Sequence, residues 1–404
     1  MAAPGTPHRS SLTIIFVTVF VDLLGFGIVL PLLPYYAREF HASAVAAGGL
    51  IAIYSAMQFV CAPLWGRWSD RIGRRPVILV SLAGSTFSYL LFALADGIGL
   101  LFVSRILAGI AGANIPVAQA FIADTTTETE RARGMGLIGA AFGLGFVFGP
   151  AIGGLLAHYG HHAPGWAATI ICGLNLLAAL VRLPESLAPE LRHQTPAAHP
   201  LRQLRAAAQR PQLARPLFIF AAVVFSFSTM ETTLSLLCAA SFHLSASQIY
   251  WLFGYMGVMT SVMQGGLIGR LTQRSAETTL VGVGAVLLAA GLGATPFTPP
   301  WWPLLLALGA VSFGQGICSP VLSSLISKSG GSHERGGVLG VSQSLGSLAR
   351  ILGPMWGGVL FEYVGSAGPY VSTAALMVAA AIVAYALPQP VATAEPSSEL
   401  PSSV

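Results

Sequence analysis

Four ionisable side chains stand inside long apolar stretches of the chain: Asp22, Arg105, Glu231 and Arg350. A charge so placed costs about 2.5–3.5 kcal/mol on membrane-insertion scales, so each needs a partner or a water-filled cavity. A carboxylate in that setting can carry a proton. Burial disfavours its charged form and a nearby arginine favours it, so a change of surroundings changes its protonation. Other chemistries find no footing in the residues. The one lysine, Lys328, follows LSSLIS instead of a Gly-rich phosphate loop, and no H-E-x-x-H occurs. The run GLGFVFG has the wrong spacing for a dinucleotide loop and lies in an apolar span. Cys61, Cys172, Cys238 and Cys318 show no metal-type spacing and read as small packing residues. The histidines fall in loops or tails, and the group His158, His161, His162 reads as a solvated loop. No metal, no cofactor and no enzyme activity is expected.

The elements that must position these four groups follow from composition. Of 404 residues, 54% are hydrophobic and 9% charged, against about 25% charged in soluble domains. The mean hydropathy is +0.73. A soluble globular enzyme is excluded, and apolar blocks of about 18 to 25 residues indicate transmembrane helices instead of an outer-membrane barrel. Twelve spans are expected, near 12–36, 44–65, 76–95, 99–123, 133–157, 166–183, 216–240, 247–269, 278–295, 302–327, 336–361 and 369–387. The first is too long for a signal peptide and no A-x-A site follows it. The reading is an all-α membrane protein: a six-helix bundle over 1–183, a cytoplasmic linker over 184–215, a second six-helix bundle over 216–387 and a disordered Pro/Ser-rich tail over 388–404.

Orientation follows from the basic residues. With both termini inside, 17 of the 20 lie in cytoplasmic segments; Arg38 alone falls outside, and Arg105 and Arg350 lie within spans. The positive-inside rule then places both termini in the cytoplasm of a cell (inner) membrane. It also accounts for the net charge of +5 without a nucleic-acid partner.

The two halves are related. At a constant offset of 204, Glu130, Arg131, Gly136, Gly149, Pro150, Gly153, Gly154, Leu156 and Tyr159 recur as identical residues between 334 and 363, and Gly112 and Pro116 recur as Gly316 and Pro320. Two like-oriented repeats imply a pseudo-two-fold axis along the membrane normal, with a cavity between the halves.

Three motifs carry a resemblance. The loop after the second span reads Gly66-Arg-Trp-Ser-Asp70-Arg71-Ile-Gly73-Arg74-Arg75-Pro76. The fifth span holds Gly145-x-x-x-Gly149-Pro150-x-x-Gly153-Gly154, whose spacing puts three glycines on one face for close helix approach. The first span holds Asp22-Leu-Leu-Gly25-Phe-Gly27-Ile-Val-Leu-Pro31-Leu-Leu-Pro34, and Arg105 opens R-x-x-x-G. Together these resemble the major facilitator superfamily, in particular its tetracycline-exporter-like drug:proton antiporters. The resemblance implies twelve helices in two bundles, and a cytoplasmic gate formed by Gly66, Asp70, Arg71, Gly73, Arg74 and Arg75 with Asp124. It also implies an antiporter motif at Gly145, Gly149, Pro150, Gly153 and Gly154. Tetracycline exporters carry acids in the third and ninth helices that Val77–Ala95 and Thr279–Ala294 lack.

In that fold the first, fourth and seventh helices line the cavity, so Asp22 with Arg105 and Glu231 with Arg350 are the expected pairs for proton coupling. Helical spacing adds Tyr54, Gln58, Gln119, Phe227, Tyr255, Gln264, Gln315 and Gln343 as cavity candidates beside Glu231. The expected function is proton-coupled export of amphipathic small molecules by alternating access, powered by the proton gradient, by a monomer in the bilayer. The alternative is an organic-anion, metabolite or lipid carrier of the same fold, working as symporter or uniporter.

Overall fold

The computed structural model describes residues 9–126, 128–160, 162–188, 211–299, 301–329 and 335–386. Within them the chain is a succession of helices that realises the twelve expected spans. The first is Arg9–Val29, followed after a turn by the short helix Leu32–Glu39. The break falls at Pro31, which has no amide hydrogen to give the helix. The second and third are Ala44–Ile72 and Arg74–Ala93. The fourth is Ile98–Ala111 and Ile115–Thr125, interrupted by a 3-10 turn at Gly112–Asn114. The fifth and sixth are Glu128–Ala157 and Ala163–Arg182.

In the second half, Pro211–Ala240 is the seventh helix, starting five residues earlier than expected. The eighth runs from Ala246 to Arg274 through a π-turn at Met263–Leu267. Glu277–Ala294, Trp302–Ser329, Arg335–Tyr363 and Gly368–Tyr385 complete the twelve. Among the described residues, nine of these helices are long and apolar enough to cross a membrane by that measure alone. Of the linker, residues 189–210 lie outside the described residues, as does the tail from 387.

Leu174, Leu177 and Val181 on the sixth helix, and Val371, Val378 and Ile382 on the twelfth, are exposed at helical spacing, which is a lipid-facing stripe. The cores lie inside the halves. One apolar cluster contains only second-half residues, such as Leu234, Leu288 and Leu308. Another contains only first-half residues, such as Ile78, Val117 and Phe121. A third joins the halves, packing Leu33, Leu50 and Tyr89 with Leu236 and Tyr250. It lies at the end of the bundle away from the chain termini, called the far end below.

The glycine faces expected from the fifth span and its repeat are used as such. A Cβ on Gly149 would lie 2.6 Å from Gly27 of the first helix, and one on Gly154 would lie 2.5 Å from Tyr250 of the eighth. At the 204 offset, Gly353 meets Phe225 of the seventh helix and Gly358 meets Ala44 of the second. Each half therefore presents one glycine-rich helix that touches its own first helix on one side and the opposite half on the other.

Candidate functional site

Asp22 is buried on the first helix, and the break in the fourth helix sets its partner. The turn Gly112–Asn114 brings Asn114 over so that its Nδ2 donates to Asp22 Oδ2 at 3.3 Å and to Ser81 Oγ at 2.6 Å. Ser81 in turn donates to the Ala111 carbonyl at 2.8 Å, and Ser85 stands alongside the carboxylate. The ion pair expected between Asp22 and Arg105 is not formed. At about 1.5 Å per residue, Arg105 lies some 13 Å along the fourth helix from Asn114, too far to share its level. Arg105, 1% exposed, instead lies 5.8 Å from the ring centre of Tyr89 and 5.4 Å from that of Phe92. Its Nη2 has no hydrogen-bond partner among the described residues.

In the second half, Glu231 and Arg350 interact electrostatically, yet no ion pair joins them among the described residues. Arg350 Nη2 donates to Ser347 Oγ at 3.3 Å. Glu231 is half-buried. The polar residues around it do not form the wetted face that their composition suggests: Ser226, Ser228, Thr229, Thr232 and Thr233 are buried. Thr229, Thr232 and Thr233 each return a hydrogen bond to the carbonyl four residues earlier, and Thr229 also reaches the Gly353 carbonyl at 3.0 Å. Their hydroxyls serve helix packing, because back-bonding satisfies them without water.

Tyr54 is the candidate most central to the charges. Its ring stacks on Phe26 at 4.9 Å, and its hydroxyl lies within electrostatic reach of Asp22, Arg105 and Arg350. Gln58 Nε2 donates to that hydroxyl at 3.2 Å and to the Gly112 carbonyl at 2.8 Å, so both residues brace the break in the fourth helix. Gln119, Gln264 and Gln343 are exposed, whereas Gln315 is half-buried with an unpartnered Oε1. Phe227 packs on the second-half core, and Tyr255 donates to the Leu305 carbonyl at 3.0 Å.

The loop after the second helix folds on Gly73, whose φ of 107° belongs to the left-handed region that glycine tolerates. Arg74 joins Asp70 at 2.5 Å, Ser69 at 2.6 Å and Asp124 at 3.1 Å. Arg71 is exposed and is not part of this cluster among the described residues. Arg75 donates to the Leu180 carbonyl at 2.8 Å. Sequence reasoning missed Glu185, which accepts from the backbone amides of Arg74 (2.8 Å) and Arg75 (3.3 Å) and so caps the third helix. It also missed Asn114; the breakers Gly112 and Pro116 around it were the available signal. Every contact just named stays within the first half.

The two ends of the bundle differ. Three hydrogen bonds between described residues cross the halves: Ser235 Oγ to the Pro31 carbonyl, Tyr250 OH to the Ile28 carbonyl, and the Val45 amide to Glu362. All lie at the far end. At the end bearing the termini, Gly66, Gly269 and Gly340 have nothing among the described residues within 4 Å of where a side chain would begin. Of the histidines read as a solvated loop, His158 and His162 are exposed with a ring nitrogen against a backbone carbonyl, and His161 lies outside the described residues.

Residues 15–281 and 232–403 match the family described as Major Facilitator Superfamily. The chain is 35% identical to the tetracycline resistance protein, class C, of Escherichia coli over 360 residues, covering 86% of this chain and 88% of that protein. It is 29% identical to multidrug resistance protein 2 of Bacillus subtilis over 364 residues, covering 88% and 90%. Among solved structures, that of the human organic anion transporter MFSD10 (TETRAN) superposes with a TM-score of 0.71 at 27% identity, covering 94% of this chain and all of that one.

Proposed function

The chain belongs to the Major Facilitator Superfamily, and we propose that it works there as a proton-coupled exporter of amphipathic small molecules. One observation carries the reading: two carboxylates, Asp22 and Glu231, lie at mid-span without an ion pair, in a bundle whose halves are joined at the far end and, among the described residues, share no hydrogen bond at the other. An unpaired carboxylate in a membrane span favours taking a proton. Alternating the open end would expose it first to one side of the membrane and then to the other. The relatives named as tetracycline and multidrug resistance proteins support export as the direction. In this reading the termini face the cytoplasm of the inner membrane, the open end is cytoplasmic, a monomer suffices and the proton gradient is the sole driving agent.

A second reading has support in Arg105, whose Nη2 is buried without a partner among the described residues, and in the organic anion transporter named among the structural relatives. There the cargo carries an acidic group. The test is transport into inverted or reconstituted vesicles under an imposed pH gradient, with cationic, neutral and anionic amphiphiles in parallel. Cargo uptake coupled to opposite proton flux supports antiport. Cargo movement that ignores the pH gradient overturns it, and exclusive uptake of anions favours the second reading.

A further inference from the structure

The second and eleventh helices run antiparallel, and their seam is written twice. On the second helix Gly48 precedes Gly66 by 18 residues, and Asp70 follows four later. On the eleventh, Gly340 precedes Gly358 by 18, and Glu362 follows four later. Eighteen residues are five turns at about 3.6 residues per turn, so each pair of glycines shares one face, about 27 Å apart. A helix with this pattern, laid antiparallel on its twin, sets Gly48 against Gly358 and Gly66 against Gly340. It also aims each carboxylate at the partner's N-terminus.

One of these ends is assembled. A Cβ on Gly48 would collide with the Pro354 carbonyl and lie 3.6 Å from Gly358, and one on Gly358 would lie 2.5 Å from the Ala44 carbonyl. With the backbones so close, Glu362 Oε2 accepts the amide hydrogen of Val45 at 3.1 Å, in the first turn of the second helix. Ser43 already caps the Ala46 amide of that turn, so Glu362 takes one of the orphan donors that the cap leaves. A carboxylate there also meets the positive end of the helix dipole. The other end differs: among the described residues nothing lies within 4 Å of where a side chain on Gly66 or Gly340 would begin, and Asp70 is held by Arg74 in its own half.

We propose that Glu362 is a gate residue, the carboxylate latch of the far end and the inverted twin of Asp70. The two latches engage alternately as the halves rock. This rests on the alternating-access reading above but not on proton coupling or cargo. The eighth helix lacks the device, since Ser245 and Gln248 complete their own capping box. Its far-end contact is made by Tyr250, whose ring packs on Gly153 and Gly154 and whose hydroxyl donates to the Ile28 carbonyl.

The test reads conformation alone. In a background with the four native cysteines replaced, spin labels at Asp96 and Phe297, both exposed on far-end loops of opposite halves, report that end's opening in lipid nanodiscs without cargo or a pH gradient. Surface carboxylate–dipole contacts shift equilibria about 2- to 5-fold. Glu362→Ala should therefore raise the far-open to far-closed ratio by that factor. Val45→Pro removes the donor at a first-turn position where proline is tolerated, and should give the same shift. The double variant should show no further gain, as expected for two partners of one contact. Asp70→Ala should move the ratio the other way. Unchanged distances in Glu362→Ala, or additive shifts in the double variant, would overturn the latch. A failure of antiport in its own assay leaves this result untouched.

Discussion

Asp124 and Lys328 occupy the same position in the two halves, 204 residues apart, and carry opposite charges. Asp124 ends the fourth helix and holds Arg74 at 3.1 Å; Lys328 ends the tenth and reaches Glu277 at 2.7 Å. Each pair ties the end of one helix to the start of the same neighbour, so duplication kept the tie and exchanged the signs. The second loop, which lacks the acid of the first, finds one in Glu277 just beyond it.

The sign exchange has an energetic consequence. Glu277 at a helix start and Lys328 at a helix end both complement the helix dipoles, whereas Arg74 and Asp124 oppose them. Glu185 offsets the mismatch by capping the third helix at the Arg74 and Arg75 amides. Glu185→Ala should therefore destabilise the protein by about 1–2 kcal/mol, the usual worth of a lost cap. Lys328→Ala, at 66% side-chain exposure, should cost less than about 1 kcal/mol. Thermal unfolding in detergent checks the order; an equal or larger loss in Lys328→Ala would contradict it.

Asp22→Asn should abolish proton-driven transport while the protein still inserts and folds. The amide keeps the size of the carboxyl and can still accept from Asn114 through its oxygen, so the network with Ser81 survives. What is lost is the group that binds and releases a proton. Initial rates under a pH gradient should fall to the level of empty vesicles, with expression unchanged. Concentrative export by the Asn variant would remove Asp22 from the coupling role.

What the sequence made legible and what it hid divide along physical lines. The spans were readable because a bilayer demands long apolar runs, and the glycine faces because close helix approach demands a missing Cβ at every fourth residue. The partners of the buried charges were not. Asp22 meets Asn114 instead of Arg105 because the Gly112–Asn114 turn re-aims the fourth helix. No periodicity argument tracks side chains across such a break. The threonines near Glu231 illustrate a second limit: a hydroxyl on a helix can be satisfied by its own backbone, so polarity alone does not mark a wet surface. Glu185 and Glu362 were hidden because their partners are backbone amides more than a hundred residues away.

Glu231→Gln should weaken cationic cargo far more than neutral cargo. Glu231 is the half-buried carboxylate of the second half, it makes no ion pair with Arg350, and its neighbours are spent on packing. A cationic cargo beside it would favour its ionised form over the protonated one, which a neutral cargo does not do. Competition binding with paired cationic and neutral analogues should show at least a tenfold larger loss for the cation, about 1.4 kcal/mol. Equal losses for both would assign Glu231 to coupling.

Glycines at the two ends of the eleventh helix should respond differently to the same enlargement. Gly358 is packed against Ala44 and Val45. Leucine there must push the second helix away, and overpacking of this kind costs about 1–3 kcal/mol. Among the described residues nothing lies within 4 Å of where a side chain on Gly340 would begin, so enlargement there should leave thermal stability within about 0.5 kcal/mol. Its effect belongs to the other conformation, where the seam would bring Gly340 onto Gly66. A side chain between them blocks that closure, so Gly340→Leu should hold the termini end open and reduce transport to background while the folded protein stays as stable as wild type. Gly358→Leu should do the converse, losing stability and opening the far end. Distance measurements across both ends, paired with thermal unfolding, separate the outcomes. If Gly340→Leu transports at the wild-type rate, Gly340 is not part of the closing seam.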